Sequence, residues 1–64
     1  MNFLFMVHAC EEQNKENLIE ALCEEDDPLD RSVQEELASR MGIYTGAWTT
    51  WDWEYINDEV SRRI

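Results

Sequence analysis

Residues that commonly build metal sites, disulfide frameworks and tight turns are scarce in this sequence. Its 64 residues include two cysteines, one histidine, one proline and two glycines. Cys10 and Cys23 are too few for a disulfide framework, and the apolar start has no basic flank of the kind that opens a secretory signal. No apolar run approaches the ~18 residues that suggest a membrane-spanning helix. We therefore expect a reduced, cytoplasmic protein with no membrane partner.

The same scarcity argues against catalysis and metal binding. His8, Cys10 and Cys23 offer three zinc ligands at most, whereas structural zinc sites usually have four ligands in recognisable pairs. The simpler interpretation makes the cysteines small buried residues and His8 an ordinary surface or dimer-contact histidine. The acid pairs at 24–25 and 26–27 lack the spaced oxygen ligands and the glycine of a calcium loop. We predict no catalytic residue, no metal and no cofactor, and hence a protein that is not an enzyme.

Basic residues are also few, five against fifteen acids, which gives a formal charge of −10. Most of the acids lie between residues 11 and 36, where only Lys15 and Arg31 oppose them. This density repels phosphate and disfavours nucleic acid as a partner. The simplest interpretation is a solvated helix surface that keeps the protein in solution. The functional alternative is an acidic surface that meets a basic partner by imitating DNA.

The chain is long enough for one small domain, residues 1–64, and its patterns favour helices. Residues 11–25 are dominated by good helix formers and predict a helix. The apolar run 2–10 is too short for its period to distinguish a strand from a helix. If it is helical, it joins residues 11–25 in one element that is long enough to need a partner chain.

Two further helices are expected after a clear boundary. Asp27 is a good N-cap and Pro28 suits the first helical position, so the second helix is predicted to begin at Pro28. Gly42 suits the left-handed position that ends a helix. A third helix is predicted to start within residues 45–50 and to run to about Arg62. The expected fold is all-α, a small bundle of two to three helices.

Residues 34–53, "QEELASRMGIYTGAWTTWDW", resemble a helix-turn-helix. Ala38 stands where that family has a small residue at the helix crossing, and Gly42 stands at the turn. Trp48 and Trp51 fill places that the motif gives to core residues in its second helix. The resemblance implies two helices that cross over a tight turn.

Several residues of this stretch bear on what the motif does. Its second helix has no basic side chain to offer to base edges, and Asp52 and Glu54 would repel DNA. Packing or protein contact is therefore the preferred use of the pair, and DNA recognition is the minor alternative. Trp53 lies off the face that carries the motif's core residues. We expect Trp53, or Tyr44 beside the turn, to be exposed and to meet another chain.

The stretch "EEQNKENLIEALCEEDDPLDRSVQEELASR" and the tryptophan-rich segment after it resemble, in size, acidity and helical layout, the small early proteins encoded between the exonuclease and excisionase genes of lambda-like phages. The resemblance implies a helical, dimeric protein that contacts host or phage proteins. It implies an effect on the choice between lysis and lysogeny or on host control, in the host cytoplasm. It places no site residue on this sequence.

Two functions follow from these observations, and the first of them involves self-association. The first is a small acidic regulator that acts by protein–protein binding, as a homodimer whose contacts include the apolar residues Phe3, Phe5 and Val7. A second copy is expected because those residues have no obvious partner within the chain and because a two-fold dimer serves both subunits with one patch. The alternative is a DNA-mimic inhibitor of a nucleic-acid-binding protein.

Overall fold

Three α-helices make up the fold in a computed structural model that describes residues 3–64, with the side chains of residues 11–64. They are α1 (Phe3–Leu22), α2 (Arg31–Arg40) and α3 (Thr50–Arg63). Residues 3–64 contain no strand. The all-α fold predicted from the sequence is confirmed. Helix α1 packs against both α2 and α3, so it is the element that holds the other two together.

Helix α1 settles the question that the apolar start left open. Its backbone is helical from Phe3 onward, so the residues after Asn2 in the run 2–10 join the helix that follows them. The helix ends at Leu22, three residues earlier than predicted, because the run from Cys23 to Asp27 is folded as turn and bend. The side chains of the proposed dimer contacts Phe3, Phe5 and Val7 lie outside the described residues. None of the helices in residues 3–64 is long and apolar enough to cross a membrane.

Helix α2 begins later than predicted. Its N-cap is Asp30, whose side chain accepts a hydrogen bond of 2.8 Å from the backbone N–H of Ser32. Asp27 instead opens a turn, in which its carbonyl accepts from the N–H of Asp30 at 3.2 Å. Pro28 occupies the second position of that turn, where its fixed φ is equally well accommodated. The predicted start at Pro28 is therefore wrong by three residues, since the sequence offers two capping aspartates and the second one is used.

The end of α2 follows the prediction. Gly42 has a positive φ of 76°. Its N–H donates to the carbonyl of Ser39 at 3.1 Å, and the N–H of Ile43 donates to the carbonyl of Ala38 at 2.9 Å. These are the two bonds of a Schellman motif, which satisfies carbonyls that the helix end leaves free. Ile43 is buried in the core, so the same turn anchors the chain as it leaves the helix.

Substituting this glycine tests the turn. A Cβ at Gly42 would meet no atom within 4 Å, so any cost arises from the left-handed backbone alone. We expect Gly42→Ala to lower the free energy of unfolding by about 1 kcal/mol. Gly42→Asn is the matched control and should cost less, because asparagine tolerates this conformation. Urea unfolding of the three proteins measures the order, and an alanine variant as stable as the wild type would contradict the assigned backbone.

The core lies where α1 meets the other two helices. Val33 and Leu37 pack against it from α2 and are partly buried. Leu29 and Met41, which precede and follow α2, are 47% and 38% exposed because neither belongs to the helix proper. The fully buried core side chains come from all three helices: Leu18, Ile19, Leu22, Ala38, Ile56 and Val60.

Gln34 is a polar residue inside this core, with no exposed surface. Its Nε2 donates to the carbonyl of Pro28 at 2.9 Å and to Oδ1 of Asn57 at 2.6 Å. The first bond holds the turn against α2, and the second ties α2 to α3. Its Oε1 has no hydrogen-bond partner among the described residues. A single amide therefore links three parts of the chain.

The connection between α2 and α3 is longer than the helix-turn-helix resemblance implies. Nine residues, 41–49, separate the helices, against the three or four of that motif. Helix α3 begins at Thr50, the last position of the predicted range, and ends one residue beyond the predicted Arg62. Its first turn is stabilised by Asp52, which accepts from the N–H of Thr49 at 2.8 Å. The pairing of α2 with α3 as a DNA-reading motif stays a prediction.

Candidate functional site

The tryptophans are arranged differently from the sequence prediction. Trp53 is 5% exposed and belongs to the buried set, whereas Trp51 is 81% exposed. The predicted exposure of Trp53 and the predicted burial of Trp51 are both wrong. The reason is helical phase: Trp53 shares a face with Ile56 and Val60, and that face is the one turned toward the core. Trp53 thus offers almost no surface to a second chain, and Trp51 offers most of its side chain.

Two of the tryptophans are covered by other side chains. Trp48 and Trp53 meet edge to face, with ring centroids 4.9 Å apart. The guanidinium carbon of Arg31 lies 4.3 Å from the Trp53 ring centroid, and Nζ of Lys15 lies 5.6 Å from that of Trp48. Both distances are within the range of a cation–π interaction. No described cation lies over the third ring, that of Trp51.

An open groove of about 570 Å³ lies beside Trp51, between α1 and the first turns of α3. Trp51 and Tyr55 are one helical turn apart and form its aromatic wall. Tyr55 is 47% exposed, so the two rings together present an apolar surface to solvent. We name this set of residues the aromatic groove; its lining is Glu12, Lys15, Glu16, Trp51, Asp52 and Tyr55.

The floor of the aromatic groove is fixed by an ion pair. Lys15 of α1 donates to Asp52 of α3 at 2.5 Å, and both side chains are about three-quarters buried. The pKa of the Asp52 carboxyl is lowered, chiefly by the hydrogen bond from Lys15 and next by that from the Thr49 backbone N–H. Asp52 therefore caps α3 and joins it to α1 at the point where the groove opens.

This pair gives the protein a predicted acid sensitivity. Because the Asp52 pKa is lowered on folding, the carboxylate stabilises the fold above its ordinary value of 3.8. That contribution is lost as the pH falls below 3.8 through the folded-state pKa. We expect Asp52→Asn to cost about 1 kcal/mol at pH 7. Urea melts from pH 6 to pH 2 should show the difference from wild type shrinking with acidity, and a constant difference would contradict the assigned pair.

Tyr44, the other predicted contact, is 79% exposed on the α2–α3 connection, as expected. It lines a separate shallow hollow of about 410 Å³, formed with the turn after α2. That hollow includes Gly46, where an added Cβ would clash with the Tyr44 hydroxyl oxygen, a contact that the exposed ring can relieve by moving. This hollow and the aromatic groove share no lining residue.

No group of three or more His, Cys, Asp or Glu side chains among the described residues is arranged to hold a metal ion. Cys23 is a free, partly buried thiol. The side chains of His8 and Cys10 lie outside the described residues. Two of the three ligands in the zinc hypothesis therefore belong to the part of the chain that is not described.

Sequence reasoning missed most of the aromatic groove. Lys15 and Asp52 are 37 positions apart, and no local pattern pairs them. The aromatic wall was visible in principle, because Trp51 and Tyr55 have i, i+4 spacing and the next residue of their stripe is the charged Asp58. The stripe through Trp53 continues instead with Ile56 and Val60, which marks it as the core face. Comparisons of the chain with family models, with curated proteins and with solved structures find no match.

Proposed function

We propose that the chain is a small acidic regulatory protein, not an enzyme, that binds another protein through the aromatic groove. The observation that carries the proposal is the 81% exposure of Trp51 beside the half-exposed Tyr55. Burying one large aromatic side chain is worth roughly 2 to 3 kcal/mol. A 64-residue chain that leaves an indole in solvent therefore forgoes a sizeable stabilisation.

The position of Trp51 supports a binding role over a packing role. The neighbouring Trp48 and Trp53 contact each other and are partly or fully buried, so the fold has already covered the tryptophans that it uses for stability. Tryptophan and tyrosine dominate the energetics of protein interfaces, since they bury much area at a small entropic cost. The resemblance to phage early proteins implies that the partner is a host or phage protein in the host cytoplasm.

The test is a selection from a displayed library of random 12-residue peptides, run on the wild type and on Trp51→Ala. Enrichment that depends on Trp51 supports the proposal. Tyr44→Ala is the matched control, because it removes an equally exposed aromatic ring away from the groove. Peptides that bind wild type and Trp51→Ala alike would overturn it, and dependence on Tyr44 alone would move the interface to the α2–α3 connection. The alanine variants should retain wild-type stability within about 0.5 kcal/mol, which dichroism checks.

The second candidate function, a DNA mimic, rests on the exposed acids of the α1–α2 turn. Glu24, Glu25, Asp26 and Asp27 are all exposed in succession, and none makes an ion pair with a described residue. Binding by mimicry should weaken steeply with added salt, whereas binding through an aromatic surface should not. The helix-turn-helix alternative predicts a selected duplex site, which a gel-shift selection from random DNA would detect.

Self-association is a separate proposal. We expect a homodimer held by the N-terminal apolar residues and one or more of the tryptophans, with the acidic surfaces turned outward. Sedimentation equilibrium at micromolar concentration should show a dimer that Phe3→Ser and Phe5→Ser weaken. A folded monomer in the wild type, or a dimer indifferent to both substitutions, would contradict this arrangement.

A further inference from the structure

We infer that the aromatic groove binds an arginine-bearing basic segment of a different protein. The inference rests on the proposed function and names the chemistry of its partner. It starts from the pairing of cations with tryptophans in this chain: Arg31 lies over Trp53 and Lys15 over Trp48. Trp51 is the most exposed of the three rings and has no described cation over it. Its open face is therefore suited to a cation from outside.

The charges of the groove point to the same ligand. Its lining carries three acids, Glu12, Glu16 and Asp52, against the single base Lys15. Asp52 neutralises Lys15 directly. Glu16 pairs with Arg63 at 2.9 Å on a partly exposed surface, while Glu12 is exposed and makes no ion pair with a described residue. An incoming cation thus finds an aromatic face on one side and the carboxylate of Glu12, unpaired among the described residues, on the other.

Arginine fits this arrangement better than lysine. A guanidinium group is planar, stacks on an aromatic ring and can donate two parallel hydrogen bonds to one carboxylate at the same time. It is also less strongly hydrated than an ammonium group, so stacking costs less desolvation. The Arg31 guanidinium carbon lies 4.3 Å from the ring centroid of Trp53, closer than the 5.6 Å of the lysine over Trp48.

A second copy of the chain cannot supply that cation without losing contacts of its own. The sequence has five basic residues. Each is engaged within the fold, four of them in ion pairs with carboxylates and Arg31 on the ring of Trp53. Two copies, each with a formal charge of −10, also repel one another at an acidic rim. The occupant is therefore a different, basic protein.

The direct test uses two synthetic 12-residue peptides of equal charge, six Arg-Ala repeats and six Lys-Ala repeats, titrated into the full chain by calorimetry at 0.15 M salt. The arginine peptide should bind about five-fold more tightly. Trp51→Ala should remove most of that preference, and Glu12→Gln should weaken both peptides. The matched controls are Tyr44→Ala and Glu35→Gln, an exposed ring and an exposed acid away from the groove, which should leave both affinities, and hence the preference, unchanged.

Equal affinity for the two peptides, or a preference that survives Trp51→Ala, would overturn the inference and leave only general attraction to an acidic surface. The library selection separates this failure from that of the proposed function. Trp51-dependent peptides without arginine would retain a protein-binding groove and refute its partner chemistry. Peptides that ignore Trp51 altogether would refute both.

Discussion

Leu18→Ala is expected to lower the free energy of unfolding by about 3 to 5 kcal/mol, the range found when a fully buried leucine is truncated. Leu18 has no exposed surface and lies on α1, the helix that contacts both others. Removing its side chain leaves a cavity that two helices would have to move to fill. A domain of this length has a total stability of only about 3 to 10 kcal/mol, so the variant should lose from a third to all of it and melt at a much lower temperature.

The leucines of this chain provide their own control series. Leu37 packs against the core but is only partly buried, and Leu29 is 47% exposed. The same change to alanine should therefore cost about 2 kcal/mol at Leu37 and under 1 kcal/mol at Leu29. Urea melts followed by helical dichroism measure all three, with sucrose added if Leu18→Ala is unfolded in buffer. Equal losses at Leu18 and Leu29 would contradict the described core.

Parts of this fold follow from short-range chemistry and were accessible to sequence reasoning. The acidic stretch ending in Pro28 separates two helices, because the residue before a proline avoids helical backbone. Gly42 ends α2 because a left-handed residue is needed there. The exact start of α2 was not accessible, since Asp27 and Asp30 are both good caps. In the structure Asp30 is the cap, and the turn that contains Asp27 is held by the bond from Gln34 to the Pro28 carbonyl.

The reversal of Trp51 and Trp53 has a similar cause. Within α3 the two residues lie on different faces, and each face has apolar members, so the period alone allows either to be the core. The helix-turn-helix resemblance placed the start of the third helix too early and thereby assigned Trp51, instead of Trp53, to the core face. What decides the matter is that Ile56 and Val60, on the same face as Trp53, pack in one core with Leu18 and Ile19 of α1, more than thirty positions away. The aromatic groove could not be predicted from the sequence for the same reason, because its lining residues come from both α1 and α3.

Gln34→Glu is expected to be the most damaging polar substitution in the described chain. The amide nitrogen that now donates to Pro28 and Asn57 becomes a carboxylate oxygen facing two acceptors, of which only the Asn57 amide can turn to donate. The new charge would have no exposed surface at a site where Gln34 is fully buried. We expect a loss of about 3 to 5 kcal/mol at pH 7, as for other uncompensated buried charges.

The pH dependence of this loss identifies its cause. Burial disfavours the ionised form, so the introduced carboxyl should have a folded-state pKa above the value of about 4.3 that it has when unfolded. The folded state then binds more protons than the unfolded state between those two values, and stability falls as the pH rises through that window. Relative to wild type, the deficit should be smallest below about pH 4.3 and largest at neutral pH.

Gln34→Met provides the matched control, since it has similar length, no charge and no titration. It removes the two donated bonds together with the unpartnered Oε1, so we expect a loss of about 1 to 2 kcal/mol that does not vary with pH relative to wild type. Urea melts of the three proteins at pH 4 and pH 7 supply the comparison. If Gln34→Glu costs no more than Gln34→Met at pH 7, the side chain reaches water and does not link the Pro28 turn to α3. If the glutamate deficit is large but constant with pH, the loss arises from packing and the buried-charge explanation is wrong.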